Sequence, residues 1–198
     1  MIPNQKHLIG VCNIYDMTPT DILEVAVSQF PILYLDSETV LPLILTMSLG
    51  AYQDKAGVID TVNTPEDLCE VERPANVLSI ACIEDASGLY HEAVLGAESI
   101  TVIEKAKSRR PYTISYLVNL RDYPGDQDLP ASVSTSLILD HIIASIDILN
   151  THRARRVAMS TGQENDYPSD QELRDRKAAI ETSMEETAAD FIPIITIR

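Results

Sequence analysis

The sequence predicts an α+β fold, mainly helical, with a helical bundle core, a small antiparallel β-sheet or hairpin, and an extended C-terminal arm. Three observations predict it. Apolar residues recur at helical spacing near the start of the 198-residue chain and again after residue 130. Short β-prone runs broken by turn residues lie between those two regions. The last eight residues, 191–198, are apolar and β-prone with no helical period.

Residues 18–30 read as a helix. Thr18 can cap it, Pro19 suits the first helical position, and Asp21 puts negative charge in the first turn. Ile22, Val25 and Phe30, with Leu23 and Ala26 beside them, give it one apolar face. A second helix ends at Gly57, a natural residue after a helix C-terminus. Its start has two readings: Pro42 at the first helical position, or Pro42 kinking a helix begun near Ser37. Residues 60–74 are polar and weakly periodic, which reads as loop.

Strand patterning takes over at Asn76. Two β-prone runs flank Asp85-Ala-Ser-Gly88, a hairpin signal, and Ser99-Ile-Thr-Val-Ile and Tyr112-Thr-Ile-Ser-Tyr-Leu-Val alternate likewise. Helices return at Pro130. Over 131–156, Val133, Leu137, Ile138, Ile142, Ile146 and Leu149 form a face broad enough for a core helix. His141 and Asp147 are expected near the edges of that face, with Arg153, Arg155 and Arg156 suiting the helix C-terminus. Ser169-Asp-Gln-Glu172 has capping-box spacing and opens a last helix reaching about Ala189.

That last helix has a narrow apolar stripe, Leu173, Ile180 and Met184, which reads as a seam for a neighbouring subunit. Its C-terminal end carries Glu181, Glu185, Glu186 and Asp190, charges that oppose the helix dipole. A compensating basic surface outside the helix, or plain solvation, would account for them. The closing segment, Phe191, Ile192, Pro193, Ile194, Ile195, Thr196, Ile197 and Arg198, invites aggregation if left free. Strand addition to a neighbour or pairing with its own sheet would protect it.

Composition narrows the function. Apolar residues make up 45% of the chain, enough for a core, and the formal charge is −15. Such an acidic exterior repels phosphate backbones and disfavours gripping nucleic acid. Cys12, Cys69 and Cys82 are far apart and form no Cys-x-x-Cys pair, as expected of reduced thiols in a cytosol. The first residues carry no apolar signal core, and the run Leu41-Pro-Leu-Ile-Leu is too short to span a bilayer. Secretion and membrane insertion are disfavoured.

Motifs for catalysis and cofactor binding do not emerge. His7, His91, His141 and His152 lie singly, without metal-ligand spacing. No phosphate-cradling glycine loop and no Gly-x-Ser-x-Gly elbow occurs. Asp126 and Asp128 beside Gly125 lack the further ligands a calcium loop requires. The basic clusters, 105–110 and Arg153–Arg156, read as solvated faces or partners for the acidic majority. The expectation is no catalytic site, no metal and no cofactor.

The order of elements, together with particular runs, carries a resemblance. Tyr112-Thr-Ile-Ser-Tyr-Leu-Val-Asn-Leu-Arg-Asp-Tyr leads to Leu129-Pro130 and a long helix. Pro74-Ala-Asn-Val-Leu-Ser-Ile precedes Glu84-Asp85-Ala-Ser-Gly88, and the charged run Arg174-Asp-Arg-Lys-Ala-Ala-Ile-Glu precedes the arm. Over residues 30–198 this resembles the head–tail adaptor proteins of tailed bacteriophages, also called connector or head-completion proteins. Residues 1–30 have no counterpart in that pattern.

The resemblance implies a single adaptor-like domain over 1–189, with helices over 18–57, a β insertion over 75–120 and helices over 130–189. It implies a docking arm at 190–198. The protein would be structural and not an enzyme: a ring of twelve copies at the head–tail junction of a virion, assembled in the bacterial host cytoplasm. Its partners would be neighbouring copies, the portal protein gripped by Phe191–Arg198, and downstream tail proteins, with no membrane. DNA would pass through the ring without sequence-specific binding, which acidic walls would favour. Another tail or baseplate subunit is the alternative, or a cytoplasmic ligand-binding domain or enzyme with no recognisable motif.

Overall fold

A computed structural model of the chain describes residues 17–162 and 166–188. Helix α1 (Pro19–Ser28) opens on a full capping box: the Thr18 hydroxyl accepts from the Asp21 N–H, and the Asp21 carboxylate accepts from the Thr18 N–H. Ile22 and Ala26, one turn apart, are buried, while Val25 faces outward. Helix α2 (Val40–Lys55) begins between the two expected starts. Asp36 prepares it by accepting from the Glu38 N–H and the Thr39 hydroxyl. Pro42 therefore lies in the first turn, where a missing N–H removes no helical bond. Gly57 follows the C-cap residue Ala56 at φ 65°, as its place in the sequence predicts.

The middle of the chain forms two three-stranded antiparallel sheets. The first has the order β1 (Ile59–Asn63), β6 (Tyr112–Val118), β3 (Val77–Asp85). The second has the order β2 (Glu70–Glu72), β5 (Ser99–Ile103), β4 (Glu92–Leu95). The fold is thus mixed α+β, with more strand than the sequence predicts, because the polar stretch 60–74 holds all of β2 and all of β1 but Ile59. Those strands pair with the apolar β6 and β5, and Thr64 holds the end of β1 by accepting from the Tyr112 N–H. The expected hairpin turns at Asp85-Ala-Ser-Gly88, with Gly88 at φ 82°. Its arms then part after an isolated bridge between Glu84 and Tyr90, while β3 pairs with β6 and β4 with β5.

Strand β6 ties the two halves together. Side chains two apart share one face of a strand, and Tyr112, Ile114, Tyr116 and Val118 are all buried. Tyr112 and Ile114 pack with Ile83, Ile100 and Val102 in a small core between the sheets. Tyr116 and Val118 join the larger core built on the helices.

Helix α3 (Thr135–Thr161) starts later and ends later than the sequence predicts. Val133 lies before the helix, in a turn that donates its N–H to the Pro130 carbonyl, and Gly162 ends the helix at φ 70°. Ile138, Ile142 and Ile146 are its fully buried line. Helix α4 (Asp170–Glu186) opens on the predicted capping box between Ser169 and Glu172. It packs along α3 and reaches α2.

Candidate functional site

A groove of about 420 Å³ lies between α2 and α4, lined by Thr46, Met47, Gly50, Ala51, Asp54, Arg121, His141, Lys177 and Glu181. Small residues at 50 and 51 open it. The Arg121 side chain, from the turn after β6, crosses Gly50 closely: a Cβ there would stand 3.2 Å from Arg121 Nε. Arg121 then pairs with Asp54 at 2.5 Å. Leu43 and Met47, one turn apart on α2, continue the groove as an apolar row, 59% and 58% exposed.

His141 forms the floor. It is 1% exposed, not at the margin of the apolar face as the sequence predicts. Its Nδ1 lies 2.9 Å from Ser48 Oγ on α2, and its Nε2 lies 3.4 Å from Glu181 Oε1 on α4. The Ser48 hydroxyl has one proton and two acceptors in reach, the Ile44 carbonyl at 2.8 Å and Nδ1; when it points to Nδ1, Nε2–H donates to the carboxylate. Burial pushes the imidazole below its usual pKa and nearby Lys177 adds to this, while Glu181 opposes it. On balance the site favours the neutral imidazole.

Ser48, His141 and Glu181 have the composition of a hydrolytic triad but not its accessibility. Ser48 is fully buried, and its hydroxyl also lies 2.8 Å from the Ile44 carbonyl of its own helix. A nucleophile must reach a substrate carbon, and this one faces the protein interior. The three groups act as a latch across α2, α3 and α4.

A second polar centre organises the β region. The Asp85 carboxylate accepts from the backbone N–H groups of Ser87, Leu89 and Arg109, from the Ser87 hydroxyl and from His91 Nε2. These bonds, led by that of the Ser87 hydroxyl, hold its pKa well below the usual carboxylate range. His91 is buried edge-on to Tyr112, and its Nδ1 has no partner among the described residues. Tyr112 donates to Glu104, which pairs with Arg110. This centre fixes the β3–β4 turn and the β5–β6 loop relative to each other.

The seam read from α4 is occupied within the chain. Leu173 and Met184 are buried, Met184 in the main core, and Ile180 packs against the same core. The stripe is narrow because α4 covers α2 and α3 with one side only. The acidic end of α4 also finds compensation inside the chain, where Lys55 of α2 pairs with Glu185 at 2.5 Å. The arm residues Phe191–Arg198, and His7 and Cys12, lie outside the described residues.

Ser48, Arg121 and Lys177 were not singled out by sequence reasoning as groove residues. A serine at an apolar helix position opposite a core histidine is the available signal, and it shows only once the helices are paired. Among the described residues, no three His, Cys, Asp or Glu side chains are grouped to hold a metal ion, and no helix is long and apolar enough to cross a membrane. Compared with known proteins, the chain matches no protein-family model and no curated sequence.

Proposed function

We propose that this chain is a structural subunit of a tailed-bacteriophage virion, a head–tail adaptor that forms a ring between portal and tail. In this reading it is not a catalyst. The helices form a bundle core that packs against neighbouring copies, and the arm, Phe191–Arg198, docks onto the portal by strand addition. The observation that carries the reading is the outer row of α2. Leu43 and Met47 are more than half exposed beside a groove with small residues at its base, a surface suited to another protein's side chains.

The charges in the groove support the same use. Arg121 and Lys177 oppose Asp54 and Glu181, so their formal charges cancel, as they should for a protein contact and not for an anionic substrate. The joint on which the family resemblance rests is also a packed element. Leu120 and Leu129 are buried at its two ends, and the Leu120 and Arg121 N–H groups donate to Gln53 of α2.

Electron microscopy of the assembled protein tests the proposal. A twelve-fold ring, lost from the portal when residues 191–198 are deleted from a still-folded chain, is expected. A six-fold or three-fold ring would move the protein into the tail, and a monomer at every concentration would end the structural reading.

A further inference from the structure

Two surfaces of opposite charge border the second sheet, whose order is β2–β5–β4: one on the β3–β4 turn and β5–β6 loop, the other along β2. On the β4 side, the turn between β3 and β4 exposes Leu89 and Tyr90 by 50% and 47%. The β5–β6 loop is fastened to this turn. The Arg109 N–H donates to the Asp85 carboxylate at 2.9 Å, and the Ala86 N–H donates to the Arg109 carbonyl at 2.9 Å. Lys105 reaches the Tyr90 carbonyl at 3.5 Å.

The loop therefore presents Lys105, Lys107 and Arg109 beside two exposed apolar side chains on a fixed frame. The side chains of Lys107 and Arg109 make no hydrogen bond or ion pair among the described residues. Within the turn the Glu84 carboxylate lies over Gly88.

Along the β2 edge runs an open cleft of about 760 Å³ whose lining includes Leu68, Glu70, Glu72 and Glu98. These three carboxylates make no hydrogen bond or ion pair among the described residues either. Arg73, also in the lining, directs its guanidinium to the carbonyls of Gly96 and Val77. Leu68 is half exposed, so the cleft, like the tip, pairs charge with apolar surface.

We infer that the two surfaces meet between copies of this chain: the Leu89–Tyr90 tip, with its three cations, seats in the acidic β2 cleft of the next copy. The inference rests on the ring reading and names one of its contacts. Among the described residues no hydrogen bond or ion pair joins Lys105, Lys107 or Arg109 to Glu70, Glu72 or Glu98, so the two surfaces do not satisfy each other within one chain. A head-to-tail contact of this kind generates a ring when its rotation closes. A second copy fits better than nucleic acid, because half-exposed Leu89 and Tyr90 gain by leaving water. A body of net charge −15 also repels a phosphate polymer.

Charge exchange in the full-length chain tests this, read by sedimentation velocity and electron microscopy. One variant carries Lys105→Glu, Lys107→Glu and Arg109→Glu; a second carries Glu70→Lys, Glu72→Lys and Glu98→Lys; a third carries all six. Each triple is expected to raise the concentration for half-assembly about tenfold or more, and the sixfold variant to recover much of that loss. The milder pair Lys107→Ala and Arg109→Ala, with unchanged circular dichroism, guards against misfolding and is expected to weaken assembly in the same direction. Wild-type chains forming rings alongside equally competent triples would overturn the inference and leave the ring reading standing. Wild-type chains that never assemble would overturn both. Loss of duplex-DNA retention by the cation triple, with assembly unchanged, would overturn it by assigning the tip to phosphate.

Discussion

His141 of α3 and Ser48 of α2 meet at 2.9 Å inside an otherwise apolar packing of helices, and Glu181 of α4 closes the arrangement at 3.4 Å. Removing the serine hydroxyl leaves a buried ring nitrogen without its partner. Ser48→Ala is expected to destabilise the chain by about 1–3 kcal/mol, the usual cost of a buried group left unsatisfied. Urea denaturation with an unchanged slope measures it; a loss below a few tenths would mean that the contact contributes nothing.

The same histidine sets a pH dependence. Folding lowers its pKa below the ordinary 6.5, chiefly through burial. Between the lower folded value and 6.5 the unfolded chain binds more protons, so stability falls as pH drops through that window. His141→Gln is expected to flatten this part of the stability profile. A further loss follows below about 4, where Asp85 and Asp170, whose folded pKa values are depressed, take up protons and release their partners. Denaturation midpoints at several pH values for both proteins check the two windows separately.

Elements whose own residues carry their signals were legible. Ser99–Ile103 and Tyr112–Val118 alternate and are strands at those bounds. The boxes at Thr18 and Ser169 begin helices because capping is a contact between residues three apart. Strands β1 and β2 were not legible, since Ile59–Asn63 and Glu70–Glu72 are strands by virtue of partners 27 to 58 positions away. Lys55–Glu185 and His141–Ser48 are likewise long-range pairs. The acidic end of α4 left a basic surface and plain solvation both open, and Lys55 shows as a partner only once α2 and α4 are paired.

Asp85 concentrates five donors on one carboxylate, three of them backbone N–H groups. Asp85→Ala would leave those groups and His91 without an acceptor, with backbone bonds such as Gly88 N–H to the Asp85 carbonyl left to hold the turn. The expected result is a local loss of order: hydrogen exchange at Ser87, Leu89 and Arg109 accelerates while the helical core stays protected. Uniform exchange across the chain would instead make this centre part of the global folding unit.

Met184 separates two uses of α4. A seam for a neighbouring subunit predicts that Met184→Ala weakens assembly and spares the monomer. The structure buries Met184 completely among residues of its own chain. The substitution is expected to cost about 2–5 kcal/mol of monomer stability, the range for deleting a buried side chain of this size.

Met47 is the complementary case. It lies on α2 one turn after Leu43 and borders the groove, more than half exposed, so its side chain contributes little to the folded monomer. A lysine there keeps helix propensity close to that of methionine, and the change in stability should stay within about 0.5 kcal/mol. If this row docks a neighbour, the same lysine must carry its charge into an apolar contact or hold that contact open. Met47→Lys is therefore expected to leave the melting temperature unchanged and to shift sedimentation toward monomer. A variant that assembles as the parent does would remove α2 from the interface and leave only the β-region contact to hold a ring together.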